Sequence, residues 1–403
     1  METERALSIK QEPHIDAGRE VEVSIVIPCL NEAETLGTCI EKAQRALVEE
    51  GIAGEIIVAD NGSSDESPTI AAGLGARVIH VEEKGYGSAL MGGIAAAQGK
   101  YVIMGDADDS YDFLELAKFV GCLRDGYDLV QGCRLPRGGG TVSPGAMPFL
   151  HRWWGNPMFS VMARWWFRVP VNDIYCGMRG FTKELYGRLD QRCTGMEFAA
   201  EMIIKSSLRG ERITQVPVTL YRDGRKSRDP HLKTFRDGWR TLRFFLMCSP
   251  RWLFFKPGLL LILLGVLGYV LAMPGATIRG VTFDAHTLLF ASLAIICGSQ
   301  SVMFALFTKT FAISEGLLPE DHRVRRFFEI VGLERGLLVG GAALLTGLVL
   351  LFVSINQWRV TSFGHLDYAH TMRWVIPGAT LTALGFQAIL SIFFLSILRM
   401  RRR

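Results

Sequence analysis

Three acidic clusters mark the first third of the chain: Pro28-Cys-Leu-Asn-Glu32, Asp60-Asn-Gly-Ser-Ser-Asp65 and Asp106-Ala-Asp-Asp109. Asp106 and Asp108 are two residues apart. Alternate side chains at a strand end point the same way, so these two carboxylates can share one hard cation. Mg2+ or Mn2+ suits such a pair, because it binds carboxylate oxygens together with phosphate oxygens. The ion would offset diphosphate charge and stabilise a departing nucleotide. Asp60 can accept from a base N–H or a ribose hydroxyl, while Ser63 or Ser64 beside it can cap a helix. Lys84-Gly-Tyr-Gly-Ser88 lies between a strand-like run and a helical run. Glycines there admit close backbone approach, and a helix N-terminus favours anions. Neither the Walker spacing nor GxGxxG is present.

Two later stretches point to a different ligand. Arg222-Asp-Gly-Arg-Lys-Ser-Arg228 holds four basic residues within seven. Arg222, Arg225, Lys226 and Ser227 make a candidate clamp for a phosphate monoester. The same composition also fits a patch drawn to anionic lipid. Residues 146–170 contain Trp153, Trp154, Trp165 and Trp166, half of the eight tryptophans, among Arg152, Arg164 and Arg168. Aromatic and basic residues mixed on a stretch too charged to span a bilayer read as an interfacial segment.

These groups need a scaffold. Val23–Ile27, Glu55–Ala59, Ala76–Val81 and Tyr101–Met104 are short apolar runs separated by helical stretches. That alternation predicts an α/β domain with a mostly parallel, Rossmann-like sheet, whose ligand sits beyond the strands' carboxyl ends. Charges nearly vanish after Trp252. Windows of 22, 24, 23 and 25 residues without Asp, Glu, Lys or Arg follow Lys256, Asp284, Arg335 and Arg373. A helix needs about 20 apolar residues to cross the hydrocarbon, so the pattern predicts an all-α membrane domain of four transmembrane helices. The expected organisation is a tail (1–20), an α/β domain (21–230), a juxtamembrane amphipathic segment (231–252) and a membrane domain (253–403). Its helices are expected near 253–276, 286–310, 336–357 and 374–398.

Composition excludes other classes. With 49% hydrophobic and 21% charged residues, the chain is neither disordered nor a purely soluble enzyme. A net charge of +4 gives no reason to expect nucleic acid. The eight cysteines form no CxxC pair and fit reduced thiols of a cytosolic compartment. Basic residues concentrate before the first span, at Arg323, Arg325 and Arg326, and in Arg399–Arg403. Positive-inside therefore predicts a multi-pass protein of the cytoplasmic membrane with both termini and the catalytic domain cytoplasmic.

The motifs, taken in order, carry a resemblance. Val-Ser-Ile-Val-Ile-Pro-Cys-Leu-Asn-Glu, Ile-Ile-Val-Ala-Asp-Asn-Gly-Ser-Ser-Asp, Lys-Gly-Tyr-Gly and Gly-Asp-Ala-Asp resemble the family 2 glycosyltransferases of GT-A fold. Within that family the chain is most similar to polyprenyl-phosphate glycosyltransferases, such as dolichyl-phosphate mannose or glucose synthases. Asp128-Leu-Val-Gln-Gly-Cys-Arg134 and Asp173-Ile-Tyr-Cys-Gly-Met-Arg-Gly-Phe181 extend the likeness, which covers about residues 21–250. Asn61 stands where the family often has Asp.

The resemblance implies a nucleoside site at Pro28, Asn31, Glu32 and Asp60, with Gly62, Lys84 and Gly85 beside the donor. It implies a metal at Asp106 and Asp108, and phosphates near Arg134 and Arg179. The implied reaction moves one hexose from UDP-glucose or GDP-mannose to undecaprenyl or dolichyl phosphate, with inversion. A phosphate monoester has a second pKa of about 6 and is already anionic at neutral pH, so no general base is required. If one acts, Asp173 and Glu197 are the candidates. Two alternatives stand beside this reading. A processive polysaccharide synthase would carry a Gln-x-x-Arg-Trp segment, which is absent. A non-catalytic sugar-nucleotide-binding membrane protein would not need the Asp106–Asp108 pair. The implied partners are the nucleotide-sugar, the polyprenyl phosphate and the lipid bilayer, and a homo-oligomer is compatible with the sequence.

Overall fold

Val23–Cys29 (β1) is buried along its whole length. A strand covered on both faces has no solvent side to fill with polar residues, hence its nearly unbroken apolar run. Its one polar member, Ser24, donates to Glu55 Oε1 at 2.7 Å and accepts from Gly99 N at 2.8 Å. Helix α1 (Leu36–Glu49) buries Leu36, Cys39, Ile40, Ala43, Ala46 and Leu47, the period of one helix face. The helix ends at Glu50, and Gly51 then reverses the chain at φ +60°.

A computed structural model describes residues 20–225, 234–314, 322, 325, 326 and 331–399. After α1 come β2 (Gly54–Asp60), α2 (Ser67–Gly73), β3 (Arg77–His80), α3 (Tyr86–Ala96) and β4 (Tyr101–Met104). Next are α4 (Leu116–Arg124), β5 (Leu129–Cys133), β6 (Thr141–Val142), α5 (Asn156–Phe167) and β7 (Arg179–Thr182). The series closes with α6 (Lys183–Leu189), α7 (Phe198–Arg209), β8 (Ile213–Pro217) and β9 (Thr219–Leu220). Seven strands form one sheet in the order β3-β2-β1-β4-β7-β5-β8. All pairings are parallel except those of β7, which runs antiparallel between β4 and β5. Strands β6 and β9 pair separately.

The expected mostly parallel α/β domain is therefore present, and its register positions the acidic clusters. Cys29 aligns with Asp60, and Asp60 with His80. Strands β1, β2 and β3 thus end at one edge, and β4 runs parallel beside β1. All three clusters lie at or just past the carboxyl ends of neighbouring strands.

The chain divides into two compact units, Met1–Phe244 and Phe245–Arg403. The division falls inside α8 (Thr234–Cys248). The second unit contains α9 (Lys256–Ala272), α10 (Ala285–Ser314), α11 (Leu333–Val360) and α12 (Tyr368–Arg399). Among the described residues four helical stretches, Arg251–Ala272, Ala285–Ser314, Leu333–Val360 and Tyr368–Leu398, are long and apolar enough to cross a membrane. Helix α10 runs 30 residues, beyond its charge-free window. At about 1.5 Å per residue it exceeds the hydrocarbon thickness of about 30 Å, because a helix need not stop where the lipid tails do. Helices α9 and α10 meet at Gly258 and Gly298: a Cβ on either would lie 2.7 or 2.6 Å from the other's carbonyl oxygen. Small residues let helix backbones approach where lipid gives no hydrophobic driving force. Tyr269 Oη links three helices, 2.7 Å from Ser292 Oγ and 3.1 Å from Thr380 Oγ1.

Candidate active site

The site begins where β4 ends. Asp106 is only partly accessible, and Tyr86 Oη donates to its Oδ1 at 2.9 Å. The Gly177 backbone closes the other side: a Cβ there would fall 2.2 Å from Asp106 Oδ2, so a larger residue would have to displace that carboxylate. Gly177 N donates to Tyr111 Oη at 2.9 Å, and Tyr111 Oη also accepts from Arg134 Nη1 at 3.3 Å. Arg134 grips the Asp173 carboxylate through Nε at 2.7 Å and Nη2 at 3.0 Å, and its backbone N adds a third bond at 3.1 Å. Arg179 donates to the carbonyls of Ala199 at 2.7 Å and Cys176 at 2.9 Å. Two tyrosines, two arginines and Asp173 thus form a polar floor beneath Asp106.

Electrostatics follow from this burial. Burial pushes the Asp106 carboxyl up to about 6, and the Asp108 charge adds to the rise. Tyr86 and the charges of Arg134 and Arg179 pull in the opposite direction. Burial also acts on Asp173, but the Arg134 charge and hydrogen bonds outweigh it and hold the carboxyl below its ordinary value.

Three of the expected site residues lie in a setting that their motifs did not announce. Arg134 and Arg179, expected beside phosphates, are 7% and 0% exposed. Their guanidinium groups are turned inward, to Asp173 and to backbone carbonyls. Asp173, a candidate base, is itself fully buried, ion-paired and depressed in pKa, so it is not poised to take a substrate proton. Two residues 39 positions apart look alike in sequence whether they bind a ligand or each other. Glu197, the other candidate base, pairs with Arg240 Nε at 3.8 Å.

The rim carries the remaining charge. Asp108 Oδ1 accepts from Ser110 N at 3.1 Å, and its Oδ2 accepts from Arg225 Nη2 at 3.1 Å. Arg225 also reaches Glu32 Oε1 at 2.9 Å and Asp223 Oδ2 at 2.7 Å. Gly224 N donates to the Asp108 carbonyl at 3.0 Å and pins this loop to the site. Burial raises the Glu32 carboxyl to about 7; Arg225 lowers it, and Asp108 and Asp223 raise it further. Arg225 was expected to hold an acceptor phosphate, but here it is a bridge between carboxylates. Arg222 is exposed, with Nε on the Pro144 carbonyl at 2.9 Å. Lys226 and Ser227 lie outside the described residues.

On the nucleoside side, Asp60 is 3% exposed. It accepts from Ser63 N at 3.0 Å and Gly62 N at 3.3 Å, and its Oδ2 lies 3.1 Å from His80 Nδ1. Burial pushes this carboxyl up, but the bonds from Ser63, His80 and Gly62 prevail and leave it below its ordinary value. Asn31, at φ +60°, accepts from Ser64 N at 2.7 Å. Glu32 N donates to Ser67 Oγ at 2.8 Å. Pro28 lies in β1 opposite Ala59.

The Lys84–Ser88 loop is held by contacts of its own. Lys84 Nζ donates to the Asn61 carbonyl at 2.7 Å, and Gly85 N to Asn61 Oδ1 at 2.8 Å. Gly87 N and Ser88 N both donate to the Thr194 carbonyl, at 2.8 and 3.2 Å. The N-terminus of α3 is therefore capped by another loop instead of offering those N–H groups to a phosphate. The same contacts account for Asn61. Its amide donates to the carbonyls of Val81 at 3.0 Å and Glu83 at 2.8 Å, which an ionised Asp could not do. Sequence reasoning missed Tyr86, Tyr111, Gly177 and His80. The first three lie within or beside motifs it had singled out, but their types alone do not announce a hydrogen bond to Asp106 or a close approach.

The residues present fit a divalent metal of one kind. Among the described residues no three His, Cys, Asp or Glu side chains converge to form a protein-only cage. Asp106 and Asp108 instead match an ion bound through two carboxylates, with the rest of its shell from substrate phosphates and water. In the present arrangement the Arg225 guanidinium partly neutralises Asp108.

Two family models agree with this division of the chain. A family model described as glycosyl transferase family 2 matches residues 24–189. Another, the glycosyltransferase family 2 C-terminal transmembrane region, matches 306–399. The low-salt glycan biosynthesis hexosyltransferase Agl6 of Haloferax volcanii is 36% identical over 378 residues, covering 93% of this chain and 89% of that protein. The dolichyl-phosphate hexose transferase of the same organism is 34% identical over 212 residues, covering 52% and 87%. Among solved structures, glucosyl-3-phosphoglycerate synthase from Mycobacterium tuberculosis aligns with a TM-score of 0.44 and 23% identity, covering 57% of this chain and 78% of that one.

Proposed function

The chain belongs to the family 2 glycosyltransferases, and on that premise we propose that it moves one hexose from UDP-glucose or GDP-mannose to undecaprenyl or dolichyl phosphate. The observation that carries the reading is the Asp106–Asp108 pair at the end of β4, in a chain with four described helices long and apolar enough to span a membrane. The nucleoside lies against Asp60, Asn31 and Glu32, and the donor diphosphate faces Asp106 and Asp108. A Mg2+ or Mn2+ ion held by those two carboxylates would screen the diphosphate and stabilise the leaving nucleotide.

The protein's own groups then position the reactants. Tyr86 and Gly177 fix the Asp106 carboxylate, and the Arg134–Asp173 pair supports the floor below. The acceptor phosphate oxygen attacks the anomeric carbon as the bond to the diphosphate breaks, with inversion. The nucleoside diphosphate leaves with the electron pair. The attacking oxygen is anionic above about pH 6, so no side chain need take a proton. The exposed guanidinium of Arg222 orients the acceptor phosphate, with Lys226 and Ser227.

The test is a transfer assay with the full-length protein in detergent, labelled donor sugar and polyprenyl phosphate. Label should enter the lipid phase with Mg2+ or Mn2+ and stop with chelator. Asp108→Asn should lower the rate by about two orders of magnitude, the scale of several kcal/mol that a metal supplies. Near wild-type turnover for this variant across a metal titration refutes the metal assignment. Label appearing only as free sugar refutes the acceptor. The proposed orientation keeps both termini and the catalytic unit cytoplasmic. Reporters near Arg279 and Phe363 should then read outside, and cytoplasmic readings there would refute it.

A further inference from the structure

Helix α10 has two faces of different make. One buries Leu288, Ala291, Gly298, Ala305 and Ala312, small residues for the most part, in a helix that packs on α9 and α12. The other carries Phe290, Leu293, Cys297, Gln300 and Phe304, a 3-4-3-4 spacing that Phe307 and Phe311 continue. That spacing is the heptad of a coiled-coil seam. Phe290, Leu293, Phe304 and Phe311 are 69%, 57%, 46% and 47% exposed, and Cys297 is exposed as well. Among the described residues of α10, Leu289 is the one exposed large apolar side chain off this seam. Lipid tails alone can cover the phenylalanines and Leu293, but Gln300 needs more.

Depth and hydrogen bonding choose the occupant. Asp284 pairs with Arg373 at 3.3 Å just before α10 begins, and such charges belong at the membrane boundary. Gln300 lies about 24 Å further along the helix, at about 1.5 Å per residue. The hydrocarbon is about 30 Å thick, so this amide sits inside it. Gln387 of α12 borders the same groove, of about 480 Å3, yet among the described residues neither amide has a hydrogen-bond partner. An unpaired amide in hydrocarbon is costly, and lipid tails offer it nothing. A second copy of the chain does. Copies inserted in the same sense pair about a two-fold axis normal to the membrane, so like helices run parallel and each seam residue faces its own counterpart. A Gln amide both donates and accepts, which makes it complementary to itself. One polar residue in a heptad seam also fixes register and oligomer state. We propose that a second copy of this chain packs on the α10 seam as a parallel helix pair, with the two Gln300 amides hydrogen-bonded to each other. This holds whichever sugar or acceptor the enzyme uses.

The test uses the full-length chain in dilute liposomes of phosphatidylcholine and phosphatidylglycerol, oxidised with copper phenanthroline. A disulfide needs Cα atoms about 4.4–6.8 Å apart, a distance that facing seam positions satisfy. The native Cys297 should therefore join to Cys297 of a second chain, read as the linked peptide by mass spectrometry. Cys297→Ser should remove that peptide. In the Cys297→Ser background, Leu293→Cys on the seam should restore a link between chains, and Leu289→Cys beside it should give about tenfold less. Both leucines are exposed, at 57% and 58%, so neither change opens the core. Equal yields at 293 and 289 mean random collision and overturn the proposal. No link at either 297 or 293 also overturns it, by leaving lipid as the cover. The amide is tested separately. Gln300→Leu should raise the dimer dissociation constant, measured by energy transfer between labelled chains in detergent, by about five- to thirtyfold, the range of an interhelical hydrogen bond. Gln300→Asn, which keeps an amide, should raise it less. An unchanged constant for Gln300→Leu overturns the pairing of the two amides.

Discussion

Arg134 and Arg225 both face carboxylates close to Asp106 and Asp108, yet they are built for different purposes. Arg134 holds one partner, Asp173, through two side-chain bonds and a backbone N–H, and both residues are buried. That pair is neutral as a unit. Arg225 is shared by Glu32, Asp108 and Asp223, so three carboxylates surround one guanidinium. The rim therefore keeps an excess of negative charge where the floor has none. A balanced buried pair resists change, because either charge left alone in the interior is costly. An unbalanced one attracts further positive charge. The lesson is that proximity to a site does not make an arginine a ligand. Its charge balance decides whether it is scaffold or machinery.

Breaking the floor should have the largest effect. Asp173→Ala leaves the Arg134 guanidinium buried and unpaired, at a cost of about 3–5 kcal/mol. Denaturation of the purified protein in detergent measures it. Replacing both partners by Leu and Met should recover most of that loss, since an apolar pair of similar size has no charge to desolvate. Wild-type stability for the single variant would erase the distinction between floor and rim.

The rim should respond less. Arg225→Gln removes a cation from three carboxylates, but each keeps some access to water, so about 1–3 kcal/mol is expected. The same variant should raise the Glu32 pKa further, because the Arg225 charge is what now lowers it. If Arg225→Gln costs as much stability as Asp173→Ala, the rim is as locked as the floor.

The smallest effect is a pH slope. Folding raises the Glu32 carboxyl from 4.5 to about 7. Between those values the folded protein holds a proton that the unfolded chain has released. This group's contribution to stability therefore falls as pH rises through the window and is level above about 7. Glu32→Gln should flatten that part of the stability profile, measured at pH 5, 6, 7 and 8. An unchanged slope in the variant would mean that another group sets it.

Legibility in the sequence was uneven for physical reasons. The apolar runs at Val23–Ile27 and Tyr101–Met104 announced strands because burial on both faces dictates composition residue by residue. The charge-free windows announced spans because hydrocarbon excludes charge along a known length. The Lys84–Ser88 loop was ambiguous, because a helix N-terminus looks the same whether an anion or the Thr194 carbonyl satisfies it. Arg179 was ambiguous for a similar reason: its motif marks a charged side chain, and only the packing of α7 and Cys176 shows that it points inward.

By itself the sequence determined the class of each half and the edge of the sheet where chemistry gathers. Those properties follow from local composition and period, which act over a few neighbouring residues. The tertiary structure alone decided partners. Arg134 with Asp173, Gly177 against Asp106, and Arg225 across Glu32 and Asp108 are separated by 39, 71, 193 and 117 positions. Nothing in local propensity selects one such pairing over another. They are chosen when the sheet closes, because each charge brought out of water must then find a counter-charge or a hydrogen bond within reach.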